Sequence, residues 1–371
     1  MKIGLLLPGS STHPLIPHNF MGGINAALAA HQQADQFEIF SAFIGFGTDE
    51  KLISKEAEEL FMMKQIEVLI VFGDEPKIQR LYPLANALKK QIIIVNHGAQ
   101  FNSLNNGDYV AYHTLNTVVS AYLTGEVAKK NSDKALMVSS FYDGGYSIMQ
   151  AMVDAFLTNE DSLAGSFILS YLLKDFDTSA LRQSLEKDKK PMLCNLSGDL
   201  VEAFFKQMNS LEGAEAVKIF ASSILVGEAA VLESAINFPV TGYTCWHPEI
   251  KTGENKKLVE TFEAANGRAA DAVAALGWDT ALILLHVKNS QQKGNACFAN
   301  LDIEAAKGKL SFDSVTNRFL SSQYLANYLP GNKFQYSDSL NYAEILSAWK
   351  NITAAYPDGT SAGWVNTYLC S

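Results

Sequence analysis

The chain has 371 residues, of which 48% are hydrophobic and 18% charged, the composition of a compact protein with about two domains. Its formal net charge of −10 argues against nucleic acid or an anionic membrane as a partner, since both bind clustered lysine and arginine. Its apolar runs fall far short of the roughly 20 residues that a membrane-spanning helix needs, so direct membrane insertion is not expected.

The first hundred residues alternate repeatedly between strand and helix patterns. Apolar runs at residues 2–7 and 37–44 predict buried strands, and each is followed by a helical pattern, at residues 20–31 and 49–64. The intervening segment PGSSTHPLIPHNF is rich in Ser, His and Pro and predicts a loop. This alternation is typical of a doubly wound α/β sheet.

Residues 66–100 are the most informative stretch because their hydrophobic period changes twice. Residues 68–72 and 92–95 are short apolar runs with β-branched side chains, the pattern of strands buried on both faces. Residues 77–90 carry apolar side chains at helical spacing, so the stretch predicts a βαβ unit with parallel strands. Ligands of such sheets bind beyond the carboxyl ends of the strands, which points to the loops at residues 73–75 and 97–100.

The alternation pauses at residues 105–113, where a turn precedes a short strand, and then begins again after a helix at residues 114–130. Strands are predicted at residues 135–139, 165–172, 191–195, 216–220 and 240–246, with helices at residues 146–158, 178–186, 199–208 and 227–236. The second part therefore repeats the design of the first, and the predicted fold class is α/β with two doubly wound lobes.

The late part of the chain adds helices and antiparallel strands. Residues 308–319, GKLSFDSVTNRF, alternate in the manner of an antiparallel hairpin. Helices are predicted at residues 255–266, 269–289 and 343–356, a turn at residues 303–307, and a strand at residues 323–329.

The four cysteines lack the spacing of a CxxC motif or of a Cys/His metal site. Cys194 and Cys245 lie in apolar runs and are expected to be buried thiols. Cys297 and Cys370 could form a disulfide, but the sequence does not fix this pairing. The apolar run at residues 2–7 is too short for a secretory leader. Either the protein is cytoplasmic, if the chain is native as given, or Met1 replaces a removed leader.

Four segments carry a resemblance to a known family: KIGLLLPGS at the start, FGTDEKLISKEAEELFMMKQIEVLIVFG, SSFYDGGYSIMQAMVDAF, and GKLSFDSVTNRF near the end. In their order and spacing, up to about residue 329, they resemble type I periplasmic binding proteins, specifically the branched-chain amino-acid-binding (Leu/Ile/Val-binding protein-like) receptors of ABC transporters. The resemblance implies two lobes joined by a three-segment hinge, with a ligand cleft between them that closes by hinge motion. The first lobe would comprise residues 1–110 together with 247–324, and the second lobe residues 111–246 together with 325–371. The chain would cross between the lobes near residues 109–113, 245–248 and 319–324.

In the family, loops after the first-lobe strands hold the ligand's carboxylate through backbone N–H groups, hydroxyls and helix N-termini. The matching positions are Ser10, Ser11, His13, Asp74, Glu75, His97, Gly98, Ala99 and Gln100. Asp74 and Glu75 depart from the small hydroxyl residues of the family and would repel a carboxylate. Their alternative role is to cap the helix that follows.

The second lobe would supply the opposite wall of the cleft. Its candidates are Tyr142, Asp143, Tyr146, Ser197, Asp199, Ser222 and Trp246, with Phe141 and Ser223 beside them. Receptors for amino acids grip the ammonium with an acid after the fourth strand of this lobe, but here that loop reads FASSILVG and has no carboxylate. Asp143 or Asp199 either replaces that acid or caps a helix, and Trp246 either lines the cleft or belongs to the core.

No motif points to catalysis, since the nucleophile elbow, the P-loop and a strand-linked GxGxxG are missing and the histidines lack metal-ligand spacing. No enzyme, cofactor or metal site is therefore predicted. The expected function is that of a solute-binding receptor of an ABC transporter, which traps a small polar ligand, an amino acid or a related amide or carboxylate, and presents it to a membrane permease. The alternatives are a ligand sensor of the same fold without a transport role, and an α/β enzyme that uses His97 and Asp143 across the cleft.

Overall fold

A computed structural model describes residues 1–11, 13–101, 107–159, 162–299 and 301–360 of the protein. The strands, in chain order, are β1 (Lys2–Leu7), β2 (Glu38–Phe43), β3 (Val68–Phe72), β4 (Gln91–Asn96), β5 (Val110–Thr114), β6 (Ala135–Ser140), β7 (Leu163–Leu169), β8 (Met192–Asn195), β9 (Ile219–Ala221), β10 (Val240–Thr244), β11 (Asp302–Ala305), β12 (Gly308–Asp313), β13 (Arg318–Ser321), β14 (Tyr324–Tyr328) and β15 (Gln335–Tyr336). The helices are α1 (Ile16–Ala30), α2 (Glu50–Glu59), α3 (Glu75–Ile78), α4 (Leu81–Leu88), α5 (Thr117–Asn131), α6 (Ser147–Phe156), α7 (Ser179–Lys187), α8 (Asp199–Met208), α9 (Ser223–Val231), α10 (Gly253–Asn266), α11 (Ala272–Asn289) and α12 (Tyr342–Ala355).

The strands form two sheets. The first has the order β11-β12-β13-β5-β4-β3-β1-β2, and the second has the order β15-β14-β10-β9-β8-β6-β7. Strands β1 to β5 pair in parallel, as do β6 to β10, and the late strands add antiparallel pairs at one side of each sheet. The predicted α/β class with two doubly wound lobes is confirmed.

Strand β3 explains why these apolar runs become strands at the centre of a sheet. All five of its residues are buried. Because side chains alternate along a strand, Val68, Ile70 and Phe72 join the core under α1 and α11, whereas Leu69 and Val71 join the core under α2 and α4. A helix layer on each face of the sheet removes both sets from water, which is the condition that a parallel sheet requires.

Helices α1 and α11 approach each other closely at Gly23. A Cβ atom at this position would lie 2.0 Å from the carbonyl oxygen of Ala274 in α11, a distance that no pair of non-bonded atoms can adopt. The glycine therefore allows the two helix backbones to touch, and the fully buried Trp278 of α11 packs in the same core.

Several element bounds are shifted from the sequence predictions, and three differences change where an element begins, whether it is continuous or what type it is. Helix α1 begins at Ile16 rather than at residue 20, because Pro17 is well tolerated in a first helical turn. The helix predicted at residues 77–90 is broken into α3 and α4, since Pro83 lacks an N–H group and its ring would clash with the carbonyl of Gln79 in a continuous helix. Of the turn predicted at residues 303–307, residues 303–305 belong instead to strand β11, which pairs antiparallel with β12.

The chain passes between the two sheets three times. The first crossing follows Thr114, because the residues at 109–113, where a crossing is predicted, lie largely within β5 of the first sheet. The second follows Thr244 at the end of β10, and the third lies between Ser321 and Tyr324. The residue ranges predicted for the lobes stay a prediction.

Three of the cysteines, Cys194, Cys245 and Cys297, are buried free thiols. Burial raises the pKa of the Cys245 thiol to about 11. Cys370, the predicted alternative partner of Cys297, lies with residues 361–371 outside the described part of the chain.

Candidate functional site

The predicted site residues lie in the loops that leave the carboxyl ends of β1, β3 and β4 in the first sheet and of β6, β8 and β9 in the second. Trp246 follows β10, at the second crossing. Parallel strands of one sheet present these ends on the same edge, so each sheet gathers its own candidates there. The contacts within each loop decide which side chains remain available to a ligand.

The loop after β4 is docked onto the N-termini of two helices that pack on the second sheet. Gly98 has a φ of +71°, a left-handed conformation that favours glycine, and its N–H donates to Asn96 Oδ1 at 2.7 Å. Three successive carbonyl groups of the loop accept backbone N–H bonds: His97 from Thr117 at 3.3 Å, Gly98 from Val118 at 3.1 Å and Ala99 from Ser147 at 3.1 Å. The first amide groups of α5 and α6 are thus already bonded.

Asp74 and Glu75, which follow β3, are both buried and bonded to other side chains. Gln100 Nε2 donates to Asp74 Oδ2 at 2.6 Å, which joins the β3 and β4 loops. Glu75 forms a buried ion pair with Arg318 of β13. Asp74 is the N-cap residue of α3 and Glu75 lies in its first turn, the alternative position considered for them, although Asp74 makes no side-chain capping bond. The suggested repulsion of a carboxylate by Glu75 is weakened, because Arg318 compensates its charge.

Arg318 is enclosed by aromatic rings as well as by its ion pair. Its guanidinium lies 4.2 Å from the centroid of the Tyr112 ring and 5.5 Å from that of Trp349 in α12. Trp349 also donates from Nε1 to Thr316 Oγ1 at 3.1 Å. Contacts of this kind stabilise a buried cation and fix its direction, so Glu75 is held by a rigid partner.

His97 is a neutral imidazole in this environment. Its ring meets the edge of Phe72, with 6.2 Å between the ring centroids. Burial, and secondarily the charge of His13, lowers the pKa of His97 to about 3. His13 is therefore close enough to act on His97 electrostatically. Ser10 is buried and its Oγ accepts from the N–H of His13 at 2.9 Å, whereas Ser11 is exposed.

Asp143, after β6, is the centre of a small network at the edge of the second sheet. Its carboxylate accepts from Ser140 Oγ at 2.6 Å and from Ser197 Oγ at 2.8 Å, and its carbonyl accepts from Asn195 Nδ2 at 3.1 Å. The helix-capping role suggested for Asp143 is wrong, because the N-cap of α6 is Tyr146. The carboxylate instead joins the loops after β6 and β8.

The two tyrosines of the β6 loop bond to each other. Tyr146 Oη donates to Tyr142 Oη at 2.6 Å, and the two rings meet edge to face with centroids 5.2 Å apart. Tyr146 is buried in the core formed with α5 and α6, whereas Tyr142 is half-buried. Of the pair, Tyr142 is therefore the one that can offer a ring face to a ligand.

The remaining second-lobe candidates differ in whether their side chains are already bonded within the protein. Ser222 is the N-cap of α9, because its Oγ accepts from the N–H of Leu225 at 3.2 Å. Ser223 Oγ is buried and has no hydrogen-bond partner among the described residues. Asp199 is exposed at the start of α8 and makes no side-chain capping bond, so the capping role suggested for it is also wrong.

Trp246 is a core residue rather than a wall of the cleft. It belongs to the hydrophobic core of the first sheet, and its Nε1 donates to Asn255 Oδ1 in α10 at 2.8 Å. Of the two roles considered for Trp246, the contacts support the structural one.

Sequence reasoning missed the residues that hold the crossings together. Asn116, in a left-handed conformation after the first crossing, accepts at Oδ1 from the N–H and Oγ of Ser321 at 3.0 and 2.8 Å. Ser120 Oγ donates to Gln323 Oε1 at 2.6 Å. His247, after the second crossing, stacks on Tyr336 with centroids 3.6 Å apart. No local pattern marks these residues, since their partners come from distant parts of the chain.

A buried ion pair lies beside the same crossings. Lys307, at the tip of the β11–β12 hairpin, has Nζ 3.5 Å from Asp279 Oδ2 in α11, and both side chains have no exposed surface. Lys307 Nζ also lies 3.4 Å from the carbonyl oxygen of Thr114 and 3.5 Å from His113 Nε2. Burial, and secondarily the Lys307 charge, lowers the pKa of His113 well below its ordinary value. The end of β5 is thus tied to the hairpin and to α11.

Two further features are absent from the described residues. No helix there combines the length and the apolar character needed to cross a membrane. Across the same residues, no group of three or more His, Cys, Asp and Glu side chains is arranged to hold a metal ion.

Comparisons with known proteins agree on one architecture. A family model described as periplasmic binding protein matches residues 46–328. A search of curated protein sequences gives no match. Solved structures cover nearly the whole chain, and at their low identities they establish the fold alone.

Three of these structures illustrate how similar the chain is to solved proteins. The solute-binding protein of an ABC transporter from Rhodopseudomonas palustris BisB5, in complex with 3,4-dihydroxybenzoic acid, is 17% identical, covers 92% of this chain and 96% of its own, and has a TM-score of 0.71. An ABC transporter substrate-binding protein from Sphaerobacter thermophilus is 12% identical, with coverages of 92% and 97% and a TM-score of 0.74. A leucine-binding protein from Thermotoga maritima MSB8 is 15% identical, with coverages of 93% and 99% and a TM-score of 0.66.

Proposed function

We propose that this chain, which belongs to the periplasmic binding protein family, is a solute-binding receptor that traps a small polar ligand between its two lobes. The observation that carries the proposal is the arrangement of the three crossings. They join two separate sheets whose polar loops leave the carboxyl ends of the strands. Such an arrangement allows one lobe to rotate against the other around a bound solute.

The ligand range that we propose is the one expected from the sequence: an amino acid or a related amide or carboxylate. Its predicted contacts are the loop residues that remain after the core and capping roles are removed, above all His13, His97 and Tyr142. The solved relatives support a small organic ligand, since one is a leucine-binding protein and another holds 3,4-dihydroxybenzoic acid. The branched-chain amino-acid subfamily stays part of the proposal.

The partner that we propose is the permease of an ABC transporter, and the proposed location is the periplasm or cell envelope. Two of the solved relatives carry the description of ABC transporter binding proteins, which supports this assignment. The alternative is a ligand sensor of the same fold. Genes for a permease and an ATPase beside this gene would favour transport, and their absence would favour the sensor.

We assign no reaction to the protein. An enzyme using His97 and Asp143 would need a proton to move at one of them. His97 has a pKa of about 3, and both carboxylate oxygens of Asp143 already accept serine hydroxyl bonds. A ligand that binds the protein and is not turned over, with His97 present or replaced by alanine, would exclude the enzyme.

A thermal-shift screen with amino acids, small amides, carboxylates and nucleobases tests the receptor proposal. A ligand at 100 times its Kd adds about 2.7 kcal/mol to the free energy of unfolding, which raises the melting temperature measurably. Small-angle X-ray scattering with a hit should then give a smaller radius of gyration, because the lobes close around it. A hit that leaves the scattering curve unchanged would contradict trapping between lobes.

A further inference from the structure

The charges of the predicted site carry information about the ligand. Every carboxylate among the buried candidates is bonded to a group of the protein itself. The pairs are Asp74 with Gln100, Glu75 with Arg318, and Asp143 with Ser140 and Ser197. The remaining candidate acid, Asp199, is exposed, and the loop after β9 has Ser222 and Ser223 where an acid would stand. Among the described candidate residues, no buried carboxylate is therefore free of an internal partner to receive an ammonium group.

Several groups that could hold a carboxylate are also bonded within the protein. The predicted site residues include no lysine or arginine, and Arg318 beside them is paired with Glu75. The N-terminal amides of α5 and α6 already donate to the loop carbonyls of His97, Gly98 and Ala99. Helix α8 begins with Asp199, and an acid at this position repels an anion. At the start of α3, Glu75 and Arg318 compensate each other, so the pair offers no net positive charge to an anion.

Neutral hydrogen-bonding groups lie at the same end of the second sheet as the second-lobe candidates. Ser147 Oγ at the start of α6, Ser223 Oγ at the start of α9 and Asn195 Oδ1 at the end of β8 are buried and have no hydrogen-bond partner among the described residues. Native proteins rarely leave such atoms unpaired, so they point to a missing partner. Hydroxyls both donate and accept, and the amide oxygen accepts. His97 contributes a neutral ring from the first lobe.

From this distribution we infer that the ligand is an uncharged polar molecule with both donors and acceptors, of the carboxamide type, rather than a zwitterionic amino acid or a free carboxylate. The inference rests on the proposed receptor function and narrows its ligand range. A charged group enclosed between closed lobes loses its water and needs a compensating charge or several free N–H groups. A neutral amide needs only hydrogen bonds, which the serine, asparagine and histidine groups supply.

Matched sets of ligands that differ only in charge test the inference on the full chain. The sets are benzamide and benzoate, 4-methylpentanamide and 4-methylpentanoate with leucine, and propanamide and propanoate. Thermal shift identifies hits and isothermal titration calorimetry measures Kd. We expect at least one amide to bind about 100-fold more tightly than its charged counterparts, a ratio measured directly from the two Kd values.

The outcomes separate the inference from the receptor function. A carboxylate or leucine that binds as tightly as its matched amide, or more tightly, overturns the inference and leaves the receptor in place. A panel in which no member stabilises the protein or binds overturns both. An amide hit with no comparable charged hit supports both.

A variant of the protein tests whether a carboxylate placed in the second lobe makes it bind an ammonium group. Ser223→Glu places a carboxylate on the second wall, and we expect it to improve binding of 3-methylbutylamine, the ammonium counterpart of the set, at least 10-fold over the unmodified chain. Ser166→Glu, on the exposed face of strand β7, is the matched control and should change nothing. A folded S223E protein that binds the amine no better than S166E would overturn the assignment of Ser223 to the ligand wall. The unmodified chain still tests the charge argument if S223E fails to fold.

Discussion

Replacement of Lys307 should destabilise the protein strongly. Its ammonium and the Asp279 carboxylate lie 3.5 Å apart and neither side chain has exposed surface. At an effective dielectric constant of about 20, two unit charges at this distance attract by about 5 kcal/mol. Burial already raises the pKa of Asp279 to about 6 beside Lys307, so Lys307→Met removes this attraction and leaves Asp279 either to take up a proton or to stay buried without a compensating charge. We expect a loss of about 3–5 kcal/mol in the free energy of unfolding, measured by urea denaturation.

A double-mutant cycle separates the pair from simple packing. Lys307→Met with Asp279→Leu removes both charges and keeps the apolar volume, so most of the stability should return. The same hairpin offers a matched control, since Lys309 pairs with Asp302 at 3.1 Å with side chains 57% and 65% exposed. Lys309→Met should cost less than about 1 kcal/mol. If K307M costs no more than K309M, or if the two single effects at Lys307 and Asp279 simply add, the reasoning is refuted.

Two further predictions concern the first lobe and use the same urea assay. Gly23→Ala should lower the free energy of unfolding by at least about 2 kcal/mol, because its Cβ would lie 2.0 Å from the Ala274 carbonyl oxygen. The control Gly227→Ala, in an exposed helix position with open space around it, should be neutral or stabilise the protein by up to about 1 kcal/mol. Equal effects of the two substitutions would show that α1 and α11 can separate freely. The pKa of His97 falls from 6.5 to about 3 on folding, so its contribution to stability is complete above pH 6.5 and is lost as the pH falls towards 3. Between pH 7 and pH 4 the free energy of unfolding of the unmodified chain should therefore fall by on the order of 3 kcal/mol more than that of His97→Gln. His18→Gln, an exposed control, should follow the unmodified chain. Parallel pH profiles of stability for all three proteins would contradict a buried neutral His97.

Much of the fold is predictable because its signals are local. The run at residues 68–72 is apolar throughout and forms strand β3 with the same limits. The break between α3 and α4 also has a local cause in Pro83, which the apolar spacing around it conceals. Strand β11 is harder to recognise, since Asp302 and Glu304 lie on its exposed face and resemble turn residues. Errors of this kind change an element without changing the architecture.

The candidate site is less predictable because its chemistry depends on distant partners. The acid at position 75 has the same local sequence whether it caps a helix, faces a ligand or pairs with a cation. Its partner Arg318 is 243 residues away in the chain. Lys307 follows two alanines at a hairpin tip, where an exposed side chain is the ordinary expectation, yet it is fully buried against Asp279. Pairings across the sheets, rather than residue types, decide which charges are available.

The position of the first crossing determines which site residues should respond to closure. Helix α5 begins just after it, and the amides of Thr117 and Val118 hold the loop after β4, so this loop lies beside the pivot and moves little when one lobe rotates. Strands β1 and β6 lie three strands away from β5 and β10 in their sheets, roughly 14 Å at the usual strand spacing. The loops after β1 and β6, with His13 and Tyr142, therefore sweep through a larger arc. Under the proposed hinge motion, they come together only in the closed form, so they are the contacts through which a ligand favours closure.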